Sequence, residues 1–85
     1  MYLQSMIEKI INNGKYNFEG TLDDLKRCIK SFKVVKVIYQ GEIQGMNLLE
    51  VHGKFKYHGV TYHVLVTKDW MKELLHIKFL GGNNV

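Results

Sequence analysis

The chain has 85 residues, 46% of them hydrophobic and 24% charged, which is enough for one small core and too little for a second. That balance excludes a disordered tail or a collagen-like repeat, and a single cysteine excludes a disulfide scaffold. Twelve basic against eight acidic side chains leave a net charge of +4, shared evenly between residues 1–33 and 34–85, so there is neither a basic arm nor an acidic tail.

Eleven lysines to one arginine, seven isoleucines, six asparagines and no alanine or proline are the mark of AT-rich codons. They point to a low-GC bacterium, its phage or another mobile element. The lone Cys28 fits a reducing compartment, and no apolar run approaches the ~18–20 residues that span a bilayer. A cytoplasmic location and no membrane contact are therefore expected. Met6 offers an alternative first residue.

The first predicted element is a helix over about 5–12. Ser5 and Glu8 stand at capping-box spacing, Leu3, Met6, Ile7, Ile10 and Ile11 form one stripe, and Asn12-Asn13-Gly14 supplies the stop. Lys15–Glu19 reads as a short extended segment that lays Tyr16 and Phe18 on the core. A second helix is expected over about 22–32. Thr21 and Asp24 repeat the capping spacing, and Leu22, Leu25, Cys28, Ile29 and Phe32 form its buried face.

From Lys33 the period changes to two. Val34–Tyr39 is β-branched and aromatic at both parities, which predicts an interior strand ended by Gly41–Gly45. Leu49–Tyr57 and Val60–Thr67 then flank His58-Gly59, a two-residue hairpin turn. That turn sets Tyr57 opposite Val60, Phe55 opposite Tyr62, Gly53 opposite Val64 and Val51 opposite Val66 on a core face. Residues 69–80 fit two patterns, and the spacing of Trp70, Met71, Leu74 and Leu75 favours a short helix over about 69–76 before an extended tail. Gly81-Gly82-Asn83-Asn84 reads as a frayed end. The fold class expected is α+β: two N-terminal helices, a three-stranded antiparallel sheet with the 58–59 hairpin, and a short C-terminal helix or strand, all in one domain of residues 1–85.

The hairpin register gives the opposite side of the sheet a cationic character. Lys36, Lys54, Lys56, His52 and His63 are the candidates for nucleic-acid binding, and a solvated, lysine-decorated sheet face is the plainer alternative. Glu50, His52 and His63 share that face but match no metal-binding spacing, so no metal and no cofactor are expected. Cys28 falls on a buried stripe and Asp23-Asp24 on a helix start, which leaves no catalytic residue to name. A small metal-independent ribonuclease toxin would work with groups such as His63, Lys54, Lys56 and Tyr62, yet no motif of that class is present. Trp70, Met71 and Leu74 form an apolar patch suited to a partner protein or a homodimer, with core packing as the plainer fate of the stripe. The expectation is a small non-enzymatic regulator or inhibitor that binds a host protein or protein–nucleic acid complex, with direct DNA or RNA binding as the alternative.

Overall fold

A computed structural model describes residues 2–83. Among them are two helices, α1 (Tyr2–Asn13) and α2 (Leu22–Cys28), and five strands: β1 (Lys15–Glu19), β2 (Lys33–Ile43), β3 (Met46–Tyr57), β4 (Val60–Lys68) and β5 (Leu74–Asn83). The strands form one antiparallel sheet in the order β1-β5-β4-β3-β2. Strands β2 to β5 are a meander whose last strand turns back to pair with β1, and α2 lies in the connection between the two edges of the sheet.

The His58-Gly59 hairpin has the expected register throughout, with both turn residues at positive φ (52° and 79°) as a primed turn requires. Thr21 and Asp24 form the expected capping box, and Gly14 closes α1 at φ 81° with its N–H donating to the Ile10 carbonyl. Ser5 does not cap a helix. It lies inside α1, and Gln4 donates to Glu8 instead.

The three-stranded sheet is overturned by two added strands. Lys15–Glu19 is a full edge strand, and Leu74–Asn83 inserts between it and β4. The helix expected over 69–76 is replaced by a turn and then β5, because Leu75 and Ile77 bury on the core face by strand alternation while Trp70 and Met71 stay exposed. Strand β5 also runs through Gly81 and Gly82, where fraying was expected; Asn84 lies outside the described residues. Gly82 belongs there because the Tyr62 ring occupies the space a Cβ would need. The helix expected to reach residue 32 ends at Cys28, and Ile29 turns extended. Phe32 then packs over Gly53, where an added Cβ would run into its ring.

The core lies between the helices and one face of the sheet. Met6, Ile7 and Ile10 of α1, Leu25 of α2, and Ile29 and Phe32 meet Phe18, Val51, Phe55, Val64, Val66, Leu75 and Ile77. Each buried side chain of this size stabilises the fold by roughly 1.5–3 kcal/mol relative to exposure. Strand β2 contributes none of them. Its apolar sequence predicts an interior strand, yet it is an edge, and it bulges twice, at Val35 and at Ile38, against β3.

Candidate functional site

The sheet face away from the helices is the surface the lysine argument requires, and Lys54 and Lys56 are exposed on it. Its side chains fall into rows that run across the strands. One row crosses all five: Lys36 pairs with His52, His52 with Leu65, Leu65 with Lys78 and Lys78 with Lys15. The next row joins Lys33, Lys54 and His63, and the third pairs Lys56 with Thr61. All six lysines are exposed. The two acids of this face, Glu50 and Glu19, stand in the rows beyond, towards the opposite end of the strands.

Six lysines stand here against two glutamates and the Asp69 carboxylate that bonds His76 in the Glu50 row, so most of the chain's +4 excess lies on this face. Among the described residues the two ion pairs, Arg27–Asp24 and His76–Asp69, involve none of these lysines. The sole arginine is therefore engaged on α2, away from this face.

His52 and His63 are diagonal neighbours, as their register implies, and are bonded directly, Nε2 to Nδ1, at 2.9 Å. Glu50 is not gathered with them, and among the described residues no three His, Cys, Asp or Glu side chains are placed to hold a metal ion. Tyr62 stands on the other face, between the Phe55 and Phe79 rings, so the four groups of the ribonuclease reading are split by the sheet. At one corner Ser31, Lys33, Lys54, Lys56 and Thr61 line a groove of about 310 Å³. There the Ser31 hydroxyl accepts the Lys56 N–H at 3.0 Å, tying the start of β2 to β3.

The opposite end of the molecule is apolar. Residues 69–73 form a turn built around Asp69, whose Oδ1 accepts the N–H groups of Met71 (2.8 Å) and Lys72 (3.0 Å). Its Oδ2 meets His76, which also bonds Asn17 of β1. These hydrogen bonds hold the Asp69 carboxyl below the usual carboxylate range, the Met71 amide foremost. Lys68 closes the turn by donating to the Asp69 and Lys72 carbonyls. Trp70 (60% exposed) and Met71 (74%) are thus presented by a hydrogen-bonded frame instead of being packed. The sequence-based patch is divided: Leu75 is in the core and Leu74 is half-buried at the start of β5.

No protein-family model, curated protein or solved structure matches this chain.

The residues that sequence reasoning missed lie on the edge. Among the described residues nine large hydrophobic side chains are exposed, and five of them, Val35, Val37, Ile38, Tyr39 and Ile43, sit on β2. Two more are Trp70 and Met71. Beyond Glu50, β3 has no β4 partner, so Gln40–Ile43 and Met46–Leu49 extend as a two-stranded arm past the sheet, turning at Gln44-Gly45 with φ 52° and 80°. The arm and the 69–73 turn flank one groove of about 740 Å³, whose lining includes Asp23, Glu42, Leu49, Lys68 and Glu73. Lys15, Lys33 and Lys78 were also missed on the cationic face, although the His76–Lys78 alternation carried the signal for the last of them.

Proposed function

We propose that this protein is a small non-enzymatic regulator or inhibitor that binds another protein stoichiometrically through its apolar end, formed by β2, its arm and the Trp70–Met71 turn. The observation that carries this reading is the placement of exposed apolar surface: seven of the nine exposed large hydrophobics belong to that edge and turn. Scattered apolar residues are ordinary on a surface, whereas a set concentrated on one edge strand and one turn marks a contact region. Trp and Tyr anchors with Met beside them are the residue types that dominate binding energy.

The reading extends to how β2 is used. Bulges at Val35 and Ile38 interrupt its free edge, which opposes regular edge-to-edge pairing with a second copy. Side-chain contact is therefore the main attraction, with the regular Tyr39–Ile43 run able to accept a partner strand. No helix among the described residues is long and apolar enough to cross a membrane. A cytoplasmic target in a low-GC bacterial host is consistent with the lone cysteine and the codon bias.

The test compares variants in nuclease-treated lysate. Wild type, Trp70→Ala/Met71→Ala and Ile38→Lys, each checked for folding by circular dichroism, serve as baits, with sedimentation velocity on each alone. A discrete protein retained by wild type and lost by both variants supports the reading. Equal recovery by all three, or a wild-type dimer that dissociates in Ile38→Lys, overturns it.

A further inference from the structure

We infer that the helix-free face of the sheet binds the phosphodiester backbone of a nucleic acid, independently of the protein contact proposed for the other end. The placement of charge is the basis. All six lysines of the face fall in three adjacent rows at the His58-Gly59 end, and both of its glutamates fall outside those rows. A solvated face with no ligand has no need to gather six lysines in three adjacent rows while the other six basic groups share the rest of the chain with most of its acids.

The geometry favours a repeating anion over an isolated one. Strand neighbours stand ~4.8 Å apart, so Lys36 to Lys15 spans ~19 Å across four steps, and Lys54 and Lys56 lie ~6.6–6.8 Å apart along one strand. The cations thus form a two-dimensional lattice on a rigid platform, which suits a chain of evenly spaced phosphates. His52 and His63 add ring nitrogens in the middle of the lattice, and the Ser31–Thr61 groove ends it with Lys33, Lys54 and Lys56 around a concave corner. A lipid surface fits less well, since the exposed Tyr39 and Ile43 of this face lie beyond the three lysine rows, and Leu65 within them is half-buried between Lys78 and His52.

The same inventory limits what is recognised. Base edges are read chiefly by Arg, Asn and Gln forks, and the sole arginine is paired with Asp24 on α2. Lysine is a point charge suited to phosphate, so binding should be independent of sequence. Each phosphate neutralised contributes a slope of about −0.9 to the log affinity against log salt for duplex, and about −0.7 for a single strand.

The experiment is fluorescence anisotropy at 50–300 mM salt with two labelled probes, a mixed-sequence single-stranded DNA and an RNA duplex. It compares wild type, Lys36→Glu/Lys78→Glu on the central row and Lys9→Glu/Lys26→Glu on the helices. Both variants bring the formal net charge from +4 to zero. The inference expects the central-row variant to lose at least about tenfold in affinity and to show a shallower salt slope, with the helix variant changed by less than about threefold. Should the Glu variant not fold, Lys36→Gln/Lys78→Gln expects a smaller loss in the same direction. The tighter probe identifies the nucleic-acid form. Equal losses in both variants, no binding at 50 mM salt, or equal affinity for poly-glutamate would each overturn the inference, the last in favour of an acidic protein.

Discussion

The two edges of the sheet face the same problem and meet it differently. Strand β1 is five residues long, its outward-facing residues Lys15, Asn17 and Glu19 are polar, and Asn17 is tied to His76 and through it to Asp69. Its apolar residues turn inward, with Phe18 buried. Strand β2 is eleven residues long and leaves five large apolar side chains between 43% and 49% exposed. A short charged edge is finished surface. A long apolar edge interrupted by bulges is unfinished by the same standard, and the difference is what supports the proposed partner contact at one end of the molecule.

The sharpest way to break that comparison is to remove one aromatic from each edge. Phe18→Ala should destabilise the fold by about 3–5 kcal/mol, the cost of a large buried ring. Tyr39→Ala should stay within about 0.5 kcal/mol, because Tyr39 is 43% exposed and lies outside the core. Urea unfolding of both variants checks this; comparable losses would mean that β2 is structural. Gly53→Ala should come next, at about 1–3 kcal/mol, since the new methyl meets the Phe32 ring that anchors the entry to β2. A neutral result there would show that Phe32 has room to move.

Asp69 sharpens the β1 side. Its carboxyl is held below the ordinary range in the folded state, so it stabilises the fold above the unfolded-state value near 3.9 and loses that contribution as pH falls through the lowered folded value. Melting temperatures from pH 7 down to pH 2.5 should therefore fall less steeply for Asp69→Asn than for wild type, from a lower start at pH 7. Parallel profiles would remove Asp69 as the frame of the turn. The smallest effects concern the two primed turns. His58→Asn should raise stability by about 0.5 kcal/mol, because Asn tolerates positive φ better than His. Gln44→Asn should raise global stability by less, since the arm beyond β4 can open without the sheet.

What could be read from the sequence follows how local each signal is. His58-Gly59 has alternating apolar residues on both sides, so one turn fixes eight register pairs. Gln44-Gly45 adopts the same conformation, but Gly41 and Gly45 together resemble a break, and the strand continues through Gly41 beneath the Tyr39 ring. Residues 70–75 fit a helical stripe, and only pairing with β4 and β1, which are distant in sequence, decides for a strand. Lys54, Lys56, His52 and His63 are legible on one face because that face depends on the single hairpin, and Lys36 joins them on the further condition, met here, that β2 pairs alongside β3. Lys15, Lys33 and Lys78 join them only through the strands that were not recognised or not followed to their ends. The edge position of β2 had no local signal, since an apolar strand awaiting a partner has the composition of an interior one.

That last ambiguity is also where the account is tested most directly. A photo-crosslinking amino acid placed at position 38 on β2, and separately at position 17 on β1, in otherwise wild-type protein expressed in a low-GC bacterial host, compares the two edges under identical conditions. The account predicts a discrete cross-linked protein adduct from position 38 and none from position 17. Adducts of equal yield from both positions, or from neither, would contradict it.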